Sequence, residues 1–462
     1  MKQRIHLALL AALVPAAAFA QDVNVYSTTM AQMWKTDTPG FDKATYAPVT
    51  EFLGIDATKL GTDALSLHLY GWGRTDLKDQ SALGGKSAGD LTYGYLQYDF
   101  AQANGQIKAG RITAFGTTGV EQLDGVYART DLKGGFAISA FGGIPVIYKN
   151  YGVLPQADIT FQKNFLAGAR LSYRIPRMGE LGVSYLQDGS NAAKDLDVAT
   201  PRTVDYSRRQ VGVDLTLAPV AFFDFTGRTV FDVANHPAAA PGEDRKRVAE
   251  QEFRGTFHIL ENLSATGGYV QRNFYSYYAG GTLPSLFNQN ERGTYTATSG
   301  AVTYAPVSAL TLTADLRHTE REVYGYTTRA GLEGRLNVPA ANLVFGGAYH
   351  KTVAFRVTLV DSVTPAYSLS HSEMRGWVMY EKGPFSASLD GIRLHFTDAA
   401  LNPALNGKAI QSAIVGSVGY QAAKSFKVSG DLSVEDTALY KKQVMGLLRA
   451  EYRFGFALKG GK

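Results

Sequence analysis

From residue 65 to residue 456 the chain repeats one pattern: segments of about ten residues in which apolar and polar side chains alternate, each closed by a turn. A period of two belongs to a β-strand, because successive side chains point to opposite faces. In residues 426–435, Val428, Leu432 and Val434 share a face with Gly430, while Lys427, Ser429, Asp431, Ser433 and Glu435 occupy the other. Residues 325–336 set Tyr326, Ala330, Leu332 and Leu336 against Thr327, Arg329, Glu333 and Arg335, and residues 309–321 set Leu310, Leu312, Ala314 and Leu316 against Thr311, Thr313, Asp315 and Arg317. Residues 248–259 and 221–231 do the same. In residues 385–396 the parity slips near Gly391, since Phe385 and Leu389 are followed by Ile392, Leu394 and Phe396; this predicts a bulge. Segments that are greasy on one face and charged on the other fit either a soluble sandwich or a closed barrel with lipid outside and water inside.

The N-terminus bears on that choice. Lys2 and Arg4 precede an apolar stretch from Leu7 to Val14, and Ala18-Phe19-Ala20 gives a small-x-small cleavage site, so residues 1–20 read as an export signal. Removing its two cations from 46 Lys and Arg leaves 44 against 41 acidic residues, a mature charge of about +3. No run approaches the roughly 18 apolar residues that a membrane-spanning helix needs. There is no Lys/Arg block of the kind that grips nucleic acid. Cysteine is absent, which excludes disulfides, thiolate metal sites, Cys nucleophiles and CxxCH haem attachment on this chain. Any redox cofactor would therefore belong to a partner.

Turn lengths favour the barrel. Short connections at 102–104, 175–180, 218–220, 261–262, 306–308, 338–341, 382–384 and 421–425 take turns with long polar ones at 75–89, 142–156, 188–208, 234–245, 276–291, around 361–364 and 398–407. Short turns on one rim and long loops on the other mark outer-membrane barrels. Tyr173, Tyr304, Tyr380, Tyr420 and Tyr452 fall beside the short turns, where an aromatic girdle meets headgroups. With residues 158–174 taken as one long strand, about 20 strands result. An even number puts both termini on the short-turn side. The expected fold is an all-β, antiparallel, up-and-down transmembrane barrel over residues 64–456, with a tail at 457–462. Residues 21–63, which include Met30, Met33, Trp34, Phe41, Tyr46 and Phe52 without sustained alternation, are expected to form an N-terminal arm or plug, an extra strand pair being the other option.

The inward face is where function would lie. Parity assigns Arg170, Arg174, Arg228, Arg254, Arg272, Arg317, Arg329, Arg335, Arg375, Arg393, Lys427, Arg449 and Arg453 to the lumen, with Asp214, Asp224, Glu250, Glu252, Asp315, Glu333, Glu373, Asp390, Asp431, Glu435 and Glu451. Each would cost about 2–4 kcal/mol at the lipid midplane if basic, so alternation drives them inward. Most are expected to form cross-strand ion pairs that hold the wall; a subset near a constriction would set ion preference, with a slight lean toward anions. The seven histidines beyond the signal, His68, His236, His258, His318, His350, His371 and His395, show no HExxH spacing and no Ser-centred elbow. No enzymatic activity and no resident cofactor or metal is expected.

Residues 108–125, KAGRITAFGTTGVEQLDG, followed by Gly134-Gly135 and Gly142-Gly143, resemble the GR…DG pattern of Gram-negative porin-like outer-membrane proteins. That resemblance implies a diffusion channel, with Gly110-Arg111 placing a cation toward the pore and Asp124-Gly125 forming the return turn of an infolded loop. A weaker likeness, in FLGID at 52–56 and LSLHLYGWGR at 65–74, is to the porin-like component of the porin–cytochrome conduits of metal-reducing bacteria; it implies a barrel that sheathes a multihaem c-type cytochrome. The expected partners are outer-membrane lipid and lipopolysaccharide and the barrel-assembly machinery, whose usual terminal aromatic signal is offset here because residues 457–462 follow Phe456. A homotrimer is left open by the sequence.

Overall fold

The computed structural model describes residues 22–36, 44–78, 86–146, 165–188, 193–194, 203–204, 208–233, 248–273, 294–321, 325–354, 370–397, 399–401, 405–438 and 442–457. The export signal and the end of the tail lie outside the described residues, as do most of the long loops. In chain order the strands are β1 (Asp22–Thr36), β2 (Ala44–Tyr46), β3 (Pro48–Thr58), β4 (Leu65–Asp76), β5 (Ser87–Phe100), β6 (Gly105–Gly116), β7 (Gly119–Asp131), β8 (Phe136–Pro145), β9 (Leu166–Ile175), β10 (Gly179–Asp188), β11 (Ala193–Lys194), β12 (Thr203–Val204) and β13 (Arg208–Val220). They continue as β14 (Phe223–Asp232), β15 (Val248–Leu260), β16 (Leu263–Asn273), β17 (Thr294–Val307), β18 (Leu310–Arg321), β19 (Gly325–Val338), β20 (Leu343–Ala354), β21 (His371–Lys382), β22 (Phe385–Phe396), β23 (Ile410–Ala423), β24 (Phe426–Asp436) and β25 (Gln443–Ala457).

Each wall strand is antiparallel to the next, and β25 returns to β1 from Asp22↔Ala457 through Trp34↔Met445. The sheet therefore closes on itself. β2 and β3 are successive pieces of one wall strand, both paired with β1, and β11 with β12 is a small separate hairpin. Setting these aside leaves 25 − 1 − 2 = 22 strands in the barrel. Closure is what hydrocarbon demands, since an open edge would leave a row of N–H and C=O groups with no water to satisfy them.

The wall's 22 strands are close to the expected count of about 20. Two expectations change. Residues 22–36 and 48–58 form neither an arm nor a plug but the other option, an extra strand pair: β1 and β3, which close the barrel. The predicted bulge at Gly391 is absent, because β21, β22 and β23 pair in unbroken register through Gly376↔Gly391↔Ile414. Register shifts occur elsewhere, most beside short turns, as between Leu217 and Val220, His258 and Leu260, and Tyr304 and Val307. Of the long strand expected over residues 158–174, the part from Leu166 onward is β9, running on to Ile175, and 158–164 lie outside the described residues.

Burial is inverted relative to a water-soluble protein. Leu332, Val418 and Leu448 are 64–65% exposed, and the strand faces that carry them carry almost no charge. Tyr173, Tyr304, Tyr380, Tyr420 and Tyr452 share those faces near the short-turn rim. Tyr173 packs on Phe136 at 4.8 Å and Tyr420 on Phe385 at 4.7 Å between ring centroids, forming the interfacial aromatic girdle. The closed wall, its apolar outer belt and its charged inner face make this an outer-membrane β-barrel.

Candidate functional site: the lumen and its infolded hairpin

Ion pairs organise the inner face much as the parity predicts. Arg170 of β9 donates to Asp214 of β13 at 2.7 Å and lies 2.9 Å from Glu180 of β10. Arg228 of β14 donates to Glu250 at 2.7 Å and Glu252 at 3.2 Å on β15, and Arg272 of β16 reaches the same Glu250 at 3.1 Å. Asp315 of β18 takes Arg329 of β19 at 3.3 Å and His350 of β20 at 2.9 Å, and Glu373 of β21 stands 3.8 Å from His350. Arg375 and Asp390 form a two-pronged pair at 2.6 and 3.0 Å. Arg317 donates to the Tyr295 hydroxyl at 2.8 Å. On the same inner faces, Arg174, Arg254, Arg335, Arg449 and Arg453 make no ion pair among the described residues. Glu333, Lys427, Asp431 and Glu451 also face inward, Lys427 opposite Glu451 in register.

Glycine makes room for several of these groups. A Cβ on Gly331 would lie 1.9 Å from the His350 ring, and one on Gly182 would lie 2.4 Å from the Arg170 guanidinium. The large side chain on one strand thus rests on the bare backbone of its neighbour, which keeps the ion-pair rows close to the wall.

Arg393 departs from the expectation. Without a bulge at Gly391, its side chain shares the face of Met374, its cross-strand neighbour, and of Leu389, which is the lipid side of the wall. Ile392 and Leu394 turn inward instead.

The segment 108–125 behaves in a way that parity alone does not reveal. It forms most of β6 and β7, joined by a two-residue turn at Thr117–Thr118 on the long-loop rim. β6 stops pairing with β5 at Gly94↔Arg111, so the hairpin leaves the wall there. Its tip crosses to strands β10 and β13. The Thr117 amide donates to Ser184 Oγ at 3.0 Å, the Thr117 and Ser184 hydroxyls are 2.9 Å apart, and Thr117 Oγ1 also donates to Asp214. Beneath the tip, Ile112, Ala114 and Leu123 of the hairpin pack on Leu166 and Leu186 of the inner wall, all of them buried. Burying Ile112 and Leu123 contributes about 1.5–3 kcal/mol each.

Close backbone approach permits the bend. Gly110 is opposite Gly125, and Gly125 opposite Gly143. A Cβ on Gly110 would lie 2.3 Å from the Gly94 carbonyl oxygen, and one on Gly125 2.2 Å from that of Gly142. Gly110 also has φ +132°, a backbone that side-chain-bearing residues rarely adopt. Asp124-Gly125 is therefore mid-strand and not the return turn that the sequence suggested. Arg111 lies on the hairpin face opposite Ile112. It is clamped by Asp124 at 2.8 Å, Asp90 at 3.3 Å and the Leu91 carbonyl at 2.8 Å, so it fastens the hairpin base and is not a free cation in the pore.

Between tip and wall lies a cavity of about 680 Å³ lined by Phe115, Thr117, Tyr127, Arg129, Arg170, Arg174, Asp214 and Arg228. Sequence reading did not anticipate Thr117, Ser184 and the exposed Phe115 as lumen groups. Opposite parity on an infolded hairpin means something different from opposite parity in the wall. A second unforeseen group is aromatic: Tyr26, Tyr70 and Tyr93 stack at 5.9 and 5.4 Å on the inner face of β1, β4 and β5, with Tyr26 and Tyr93 hydroxyls 2.7 Å apart.

No protein-family model and no curated protein sequence matches the chain. Among solved structures it is similar to OccAB4 of Acinetobacter baumannii, with 8% identity over 94% of this chain and 98% of that one and a TM-score of 0.45. It is also similar to OccK2 (OpdF) of Pseudomonas aeruginosa, with 11% identity over 95% and 100% and a TM-score of 0.43. The P pilus usher (PapC) translocation pore gives 8% identity over 93% and 99% with a TM-score of 0.48. At these values the likeness is one of general barrel architecture, and it assigns no solute.

Proposed function

We propose that the chain is a passive outer-membrane channel for small hydrophilic solutes, narrowed by the β6–β7 hairpin where it meets the Arg170–Asp214–Glu180 cluster. The observation that carries this reading is the hydrogen-bonded docking of Thr117 on Ser184 and Asp214 inside the lumen. A fixed element that crosses part of a wide barrel sets the limiting aperture, and charges around it act on permeating ions at close range. Among the described residues the paired arginines are neutralised locally, whereas Arg174, Arg254, Arg335, Arg449 and Arg453 make no ion pair and outnumber the inward acids Glu333, Asp431 and Glu451 that also make none, which supports a weak preference for anions. Reconstituted alone in a planar bilayer, the protein should conduct, and a salt gradient should give a small reversal potential of the anion-selective sign. A silent bilayer containing verified folded barrel would overturn the channel.

One observation favours a second reading, a sleeve around a periplasmic multihaem c-type cytochrome. Barrels of 22 strands generally hold something in the lumen, and the N-terminal segment that could have plugged this one is part of its wall. A sleeve should co-purify with a haem-absorbing partner in stoichiometric amount, which a simple channel would not.

A further inference from the structure

Arg393 and His395 of β22 and Lys351 of β20 all lie on the lipid-facing side of the wall. Lys351 is opposite Ser372, which is opposite His395; in the adjoining row Tyr349, Met374 and Arg393 are opposite one another. With strands about 4.8 Å apart and alternate residues about 6.7 Å apart, the three groups fall in a patch roughly 10 Å across. All three are exposed, and none makes an ion pair among the described residues. The nearest acid along the Arg393 row, Asp436, is taken by Lys408.

Their level on the barrel is informative. Lys351 stands between two outward apolar residues of its own strand, Tyr349 and Val353. Arg393 is eight residues from Phe385, the short-turn end of β22, which corresponds to about 27 Å along the strand and, at a tilt near 40°, about 20 Å in height. The apolar band of such barrels is about 25 Å tall. The cations thus sit at its upper margin on the long-loop side, the level of outer-leaflet headgroups. Adjoining them is an outward groove of about 530 Å³ walled by Tyr304, Leu312, Leu332 and Tyr349 and floored by Gly334 and Gly347. The floor continues as Gly376 and Gly391, opposite one another in the next two strands, and a Cβ on Gly376 would meet nothing.

We propose that this surface docks one lipopolysaccharide molecule of the outer leaflet, with its phosphates on Lys351, Arg393 and His395 and an acyl chain along the glycine-floored groove. Charge complementarity selects the occupant: at the edge of hydrocarbon an unpaired cation needs an anion, and the outer leaflet offers phosphate at that height. The cations of Lys351 and Arg393 supply the attraction, and His395 adds a ring N–H donor.

The test uses the full chain in detergent with bound lipid counted by native mass spectrometry. Phosphorylated lipid A should bind, and dephosphorylated lipid A or the K351Q/R393Q variant should weaken binding about thirtyfold. The charge-conserving K351R/R393K variant should bind as the parent does, as should R335Q, whose charge faces the lumen. Equal binding by K351Q/R393Q would overturn the proposal. So would full competition by millimolar inorganic phosphate, which would mark a nonspecific anion site, or a change of oligomeric state in K351Q/R393Q, which would mark the face as a contact between copies.

Discussion

The docked hairpin makes a demanding prediction. Ile112 and Leu123 are both 0% exposed between the hairpin and the inner wall. Replacing each with alanine removes about 2–5 kcal/mol of packing; because the two touch the same cluster the losses are not additive. A combined loss of about 4 kcal/mol would shift the docked-to-undocked ratio nearly a thousandfold. The Thr117 hydrogen bonds, at about 0.5–1.5 kcal/mol each and more for the one to a carboxylate, would then hold the tip alone. The wall should survive, since β5, β8 and the rest keep their own ladder. The natural absence of cysteine allows a clean readout. A Cβ at Gly212 lies 2.7 Å from Thr117 Cβ, slightly inside the usual 3.5–4.5 Å disulfide spacing, so T117C/G212C should cross-link on mild oxidation. Adding I112A/L123A should abolish most of that cross-link and raise single-channel conductance and noise. If the cross-link forms as readily with I112A/L123A as without, or never forms in T117C/G212C itself, the hairpin is not packed in the lumen as described.

Other expectations concern the wall. Leu332→Arg, mid-strand on the lipid face, should cost about 2–4 kcal/mol in urea unfolding from liposomes, while Glu333→Gln, one residue on and facing the lumen, should cost under about 1 kcal/mol. Arg228→Met removes the 2.7 Å cation from Glu250, which is 7% exposed; a loss of about 1–3 kcal/mol is expected, read as a lowered urea midpoint. Gly331→Val drives the His350 ring off Asp315 and should cost about 1–3 kcal/mol, seen as a lower temperature of heat-modified migration in gels. R174Q/R254Q should move the reversal potential toward cation selectivity, with unchanged folding.

Much of the wall was legible because lipid enforces a local rule. Away from the rims, the charged side chains of strands such as β18, β19 and β24 point one way, so Asp315, Arg329 and Asp431 could be placed without knowing their partners; the outward acids Glu320 and Asp436 stand at the long-loop ends of β18 and β24. The N-terminal strand was not legible for the same reason inverted. On β1 the outward Ser27 and Thr29 are polar, satisfied by hydrogen bonds to Glu51, and the inward Met30 and Trp34 are apolar, so alternation vanishes although the strand is regular. Arg393 failed through a plausible local inference: inward Ile392, Leu394 and Phe396 look like a lipid face, and a bulge reconciles them with Leu389. Only the cross-strand register excludes it. The hairpin bend rests on Gly110, Gly125 and Gly143 lying side by side on three strands, a relation that no single segment contains.

The central claim is that odd and even residues of each wall strand meet different solvents. Single cysteines placed in turn along β19 from Thr327 to Leu336, in liposomes, would test it most directly with a charged, membrane-impermeant thiol reagent. Labelling should alternate, with Thr327, Arg329, Glu333 and Arg335 reactive and Thr328, Ala330, Leu332, Gly334 and Leu336 protected, Gly331 being left unchanged because a Cβ there meets the His350 ring. Uniform reactivity, or a period near 3.6, would contradict the barrel.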